Sequence, residues 1–271
     1  MQPIKLGRVH VARHPLFDAE LTQVLRGGPF SAALHLAIEA NGLPERSLVT
    51  LLGPRRPRGR WLDHPVAGVP VRRLWPHSED LARLYTGLSD TPTDHLTRLS
   101  VSDDYYIGAD RCAYRLVTRL VVRAEADRVA RCLVVLWTEQ RAGPRHATVT
   151  GTRYCRPGRI RESTGYTVAE LVLDRVLRRG ECAVLEYEMT IPKSVDGADE
   201  FARRFTAPTR QYALSAVFDP DTLPARCYGY QRLAVDGPDR CVEELRPAGN
   251  TVQTVAIDFL PGIVGLRWDW A

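Results

Sequence analysis

The densest charge in the sequence is Pro54-Arg55-Arg56-Pro57-Arg58-Gly59-Arg60, four arginines in seven residues. The two prolines hold this stretch extended. A guanidinium grips phosphate oxygens in pairs. Arg55, Arg56, Arg58 and Arg60 are therefore the candidate nucleic-acid-binding residues, forming an arm that contacts phosphates. A run of this kind also serves as a solvated linker, and both readings stand.

Other residue types that could do chemistry are less well placed. Asp103 and Asp104 are adjacent carboxylates, a pattern that binds metal or forms a catalytic pair. On a strand, neighbours point to opposite faces, so the pair is read as loop surface. Glu186 and Glu188 fall on one face of a strand, with Tyr187 on the other, and read as a solvated face. His10 and His14 have metal-ligand spacing only on a helix, which Pro15 disfavours. The sequence contains no Gly-x-Ser-x-Gly, no His-Glu-x-x-His, no P-loop and no strand-borne Gly-x-Gly-x-x-Gly. These residues predict a non-enzymatic protein with no metal and no cofactor.

The elements that must hold these residues are of two kinds. Residues 16–25, 31–40, 43–53 and 78–88 carry apolar side chains at helical spacing. Gly27-Gly28 and Asn41-Gly42 act as stops. Residues 91–99 read as a short turn or helix. From residue 105 onward the pattern changes to β-branched and aromatic runs. Residues 116–122 and 129–137 flank a polar stretch and read as a hairpin. Strand-like runs follow at 147–156, 166–173, 182–191, 210–218, 225–233, 241–245, 251–259 and 264–270. Gly, Pro and Asp clusters such as Pro157-Gly158 separate them. The expected fold is α+β: a short helical N-terminal region, 1–100, followed by a predominantly antiparallel β-sandwich, 101–271.

Composition sets outer limits. The chain has 271 residues, 44% hydrophobic and 25% charged, with a net charge of +5. Residues 1–100 carry 13 Lys+Arg against 9 Asp+Glu, so most of the excess lies there. Lys5 and Lys193 are the two lysines, and every other basic residue is arginine. No apolar run approaches the ~20 residues that span a membrane. The first residues lack the apolar stretch of a secretory signal. A cytoplasmic location and six reduced cysteines are expected on that basis.

Several stretches resemble the C-terminal domain of actinobacterial Cro-repressor-like, XRE-type helix-turn-helix regulators. They include Gly42-Leu43-Pro44, Leu51-Leu52-Gly53-Pro54 with Arg55, Pro57 and Arg58, and Leu99-Ser100-Val101 to Gly108-Ala109-Asp110. Further on come Val122-Arg123-Ala124, Phe201 to Phe205 with Arg203-Arg204, and Phe218-Asp219-Pro220 to Leu223-Pro224-Ala225-Arg226-Cys227. The last is Pro261-Gly262 to Gly265 with Arg267-Trp268. The resemblance spans about residues 42–271. It implies a regulatory protein, which would act through a protein partner or through weak DNA contact at Arg55–Arg60; a second copy of the chain is a further candidate partner. Such regulators carry a five-helix DNA-binding domain before the Leu-Leu-Gly-Pro segment. Here the recognition helix has no counterpart, so major-groove reading is not expected. The alternative is a protein- or ligand-binding β-sandwich with no role at DNA.

Overall fold

The computed structural model describes residues 71–88, 95–138, 146–163, 165–193 and 197–270. All of them belong to the unit Ala67–Ala271. The helices expected over 16–25, 31–40 and 43–53 lie outside the described residues, as do Arg55, Arg56, Arg58 and Arg60.

Among the described residues two helices, α1 (Val71–Leu74) and α2 (Ser78–Leu88), precede thirteen strands. The strands are β1 (Leu96–Ile107), β2 (Ala113–Ala124), β3 (Val129–Trp137), β4 (Thr148–Arg153), β5 (Cys155–Ser163), β6 (Tyr166–Leu177), β7 (Cys182–Thr190), β8 (Glu200–Phe205), β9 (Thr209–Val217), β10 (Arg226–Arg232), β11 (Arg240–Leu245), β12 (Thr251–Phe259) and β13 (Gly262–Asp269). They form sheets of order β12-β9-β1-β2-β7-β4, β11-β10-β13-β8 and β3-β6-β5. The unit is β-rich and its pairing is predominantly antiparallel, as the sequence indicates. The described exception is β1, which runs parallel to β9.

Alternation places the core. Along β2, Leu116, Thr118, Leu120 and Val122 point inward, and along β7 so do Leu185, Tyr187 and Met189. These residues meet Phe201, Phe205, Leu266 and Trp268 of the four-stranded sheet in one shared core. β3 is buried on both faces. Val134 and Leu136 join the main core, while Leu133 packs with Leu81, Leu84 and Leu88 of α2. Each fully buried leucine contributes about 1.5–3 kcal/mol, enough to hold a short helix on a sheet.

Three sequence expectations are corrected. β2 and β3 are not a hairpin: β2 pairs with β1 and β7, while β3 pairs with β6 in another sheet. Burial of β3 on both faces explains its continuous apolar run, which a strand with one solvated face would not show. The turn or helix expected over 91–99 gives way to strand from Leu96 onward. Pro157-Gly158 does not separate strands but lies within β5, at a register shift on a sheet edge, where proline costs no ladder bond.

Candidate functional site

Asp103 is not on a loop surface. It lies in the run Val101-Ser102-Asp103-Asp104-Tyr105, whose odd positions face the core, and it is 0% exposed. Thr118 of β2 is directly opposite it, and Tyr187 of β7 is opposite Thr118. From the four-stranded sheet, Arg203 reaches across with Nε 2.6 Å from Oδ2 and Nη2 2.7 Å from Oδ1. Thr118 Oγ1 donates to Oδ1 at 2.6 Å and the Tyr212 hydroxyl to Oδ2 at 2.9 Å. The carboxylate thus accepts four hydrogen bonds. Burial opposes the Arg203 charge, yet the Asp103 carboxylate holds its pKa well above the usual arginine value. With every strong bond used internally, this network clamps two sheets together.

Beside the clamp runs a cleft of about 1360 Å³. Among the described residues, its walls include every residue of 197–209 and every residue of 133–138. Among the described residues, β8 and β3 are edge strands of their sheets. A strand that lines a cavity by its face contributes alternate residues; an unbroken run means that the strand presents its edge. Arg98, Arg203, Arg204 and Arg232 line the cleft against two carboxylates, Asp199 and Glu200. Arg232 is committed to Asp239 and, at 3.4 Å, to Glu200. Arg204 is placed differently. Its guanidinium lies over the Trp75 ring, 4.8 Å from the centroid, and its Nε donates to the Leu74 carbonyl at 2.9 Å. Burial depresses its pKa. The nearby Glu200 carboxylate acts on Arg204 in the opposite sense, while itself pairing with Arg232. Trp75 packs on Tyr166, which in turn packs on Trp137, with centroids 5.9 and 4.4 Å apart. The Tyr166 hydroxyl donates to the Pro76 carbonyl, fixing the turn between α1 and α2.

One wall of the cleft is α2, and its far end is latched. The Leu88 carbonyl accepts hydrogen bonds from Arg159 and, at 3.4 Å, from Arg131. Both arginines are gathered by Glu170, at 3.1 Å and 3.5 Å. This gives the helix C-terminus the cations it favours. The hydrogen bond from Arg159, ahead of the opposing effect of burial, lowers the Glu170 pKa. A depressed carboxylate contributes stability above its unfolded value that is lost as pH falls through the folded one. We expect Glu170→Gln to cost about 1.5–3 kcal/mol. The variant's stability should also fall less steeply than the wild type's between about pH 5 and about pH 3. Urea denaturation across that range reads both effects; equal pH profiles would contradict the latch.

Other sequence candidates come out as follows. Tyr187 is buried, and Glu188 faces outward in an ion pair with Arg115 at 2.6 Å, as the alternation indicates. The six cysteines are unbridged, and burial pushes the Cys155 and Cys227 thiols up to about 11. Sequence reasoning missed the Asp103 network and the Arg204 cleft. The signal for Asp103 was present, because Val101, Asp103, Tyr105 and Ile107 share one parity with an apolar face.

No family model matches the chain, and no curated protein matches it. Solved structures with partial similarity include an M1 zinc metallopeptidase from Deinococcus radiodurans. It is 11% identical over 64% of this chain and 42% of that one, with a TM-score of 0.38. A two-domain M1 zinc metallopeptidase variant bound to L-tryptophan is 12% identical over 65% and 43%, with a TM-score of 0.38. A putative protease from Parabacteroides distasonis is 12% identical over 65% and 41%, with a TM-score of 0.37. The chain spans about two fifths of these structures. They are peptidases, not transcription regulators, and the expectation of a helix-turn-helix-related regulator acting at DNA is corrected accordingly. Likeness at this level transfers no activity. The described residues also do not offer the ligands of a catalytic zinc. The sequence has no His-Glu-x-x-His, and the described residues hold no group of three His, Cys, Asp or Glu able to grip a metal. No described helix is long and apolar enough to cross a membrane.

Proposed function

We propose that this β-rich unit is a non-catalytic protein-binding module whose cleft receives an acidic segment of a partner protein. The observation that carries the reading is Arg204, a cation held over Trp75 inside the cleft, whose hydrogen bonds among the described residues go to the carbonyls of Leu74 and Ala202. A buried cation stabilised by carbonyls and a ring face gains most from an incoming carboxylate. Trp, Tyr and Arg are also the side chains that dominate binding energy at protein interfaces, and Trp75, Tyr85, Trp137, Arg98 and Arg204 are grouped here. The cleft volume of about 1360 Å³ exceeds the roughly 300–1,000 Å³ of small-molecule sites. A length of polypeptide fits it better than a metabolite.

The test is fluorescence anisotropy of a labelled peptide of alternating Glu and Val against the full chain. Binding should weaken steeply with salt, and Arg204→Glu should reduce affinity at least about tenfold, or ~1.4 kcal/mol. A peptide with Lys in place of Glu should not bind. Equal binding of the two peptides would overturn the reading.

A further inference from the structure

We infer that the acidic partner segment binds as an added β-strand on the edge of β8 that is open among the described residues, completing the cleft by backbone pairing. This deepens the cleft reading and rests on it. In an antiparallel pair, successive residues turn their N–H and C=O alternately toward and away from the neighbouring strand. The Trp268 amide donates to the Asp199 carbonyl at 2.8 Å. Asp199, Phe201, Arg203 and Phe205 therefore face β13. Glu200, Ala202 and Arg204 turn their backbone groups toward the cleft. A second observation agrees: the Arg204 side chain folds back to the Ala202 carbonyl at 3.4 Å, a weak bond that marks this carbonyl as directed away from β13.

The opposite wall has the same character. Thr138 donates to the Gly165 carbonyl at 2.8 Å on the β6 side. By alternation, Leu133, Val135 and Trp137 turn their backbones to the cleft. There the Leu133 carbonyl accepts the Arg98 guanidinium at 3.0 Å. On each strand an arginine thus donates to a carbonyl directed away from the sheet, and on β8 that contact is the kind of protection that keeps a strand edge from indiscriminate pairing. An acidic segment draws Arg204 off the Ala202 carbonyl into a carboxylate pair, and the same step exposes a backbone acceptor that the segment's own amide then uses. Main-chain bonds supply affinity in this mode, and side-chain chemistry supplies selection. Charge and edge therefore act together, and the cleft discriminates against extended segments that lack carboxylates.

The test uses the full chain, the alternating Glu and Val peptide, and the same peptide with every second backbone amide N-methylated, in both registers. Strand addition predicts that one N-methylated register binds at least about tenfold more weakly while the other is nearly unaffected. Ala202→Pro removes an edge donor without touching the β13 ladder. It should weaken the unmodified peptide similarly while leaving the melting temperature within a few degrees of wild type. Binding that is indifferent to N-methylation in both registers would overturn strand addition but leave the acidic cleft standing. Absence of any binding by the unmodified peptide would overturn both.

Discussion

Replacing Arg203 by methionine is expected to destabilise the unit by about 3–5 kcal/mol, because the Asp103 carboxylate is then left buried without its countercharge. For a unit of this size that lowers Tm by roughly 6–20 °C. The magnitude follows from burial. Asp103 is 0% exposed and receives Arg203 through two nitrogens, together with Thr118 and Tyr212. Arg203→Lys keeps the charge but loses the forked geometry and should fall in between. Combining Arg203→Met with Asp103→Leu should recover much of the loss, since a buried pair is often no more stable than an apolar replacement. Recovery stays incomplete because the Thr118, Tyr187 and Tyr212 hydroxyls lose their partners, at about 1–3 kcal/mol for each group left unsatisfied. Urea denaturation of the wild type and these three variants reads the whole series. A loss below about 1 kcal/mol for Arg203→Met would mean that the pair is solvated rather than clamped.

Trp268→Ala is expected to cost about 3–5 kcal/mol. The side chain is 2% exposed and packs edge-on to Phe218, with centroids 5.2 Å apart. Its Nε1 donates to the Ala198 carbonyl at 2.8 Å, and Trp270 Nε1 donates to the same oxygen, also at 2.8 Å. Two indoles therefore pin the residue that leads into β8. Trp270→Phe keeps a ring beside Phe218 and leaves Ala198 its bond from Trp268, so it should cost only about 0.5–1.5 kcal/mol. The contrast between the two variants, read by thermal denaturation, separates core packing from the shared hydrogen bond. Equal losses would contradict this account.

The strands and the one long described helix were largely legible because each keeps a single period. Ser78–Leu88 is helical over the range that its leucines indicate, and Thr251–Phe259 is a strand at both expected ends. β8 was hidden for a physical reason. Its inward positions are Phe201, Arg203 and Phe205, and the arginine breaks the apolar alternation. Its meaning depends on Asp103, a hundred residues earlier in the chain. The hairpin of β2 and β3 was misread because two adjacent apolar runs do not say whether they pair with each other or with later strands. The cleft was invisible for the same reason: Trp75, Trp137 and Arg204 come from three distant segments. The arginine run at Arg55, Arg56, Arg58 and Arg60 attracted attention by density, whereas Arg204 matters by placement.

The central claim is that β8 and β3 form the walls of a binding site for an acidic extended segment. Hydrogen exchange of the full chain, with and without the alternating Glu and Val peptide, locates that site directly. Slowed exchange concentrated in Glu200–Phe205 and Val129–Trp137, with β11 and β12 unchanged, is the predicted result. Protection confined to other strands, with the β8 amides exchanging as in the free protein, would contradict the account.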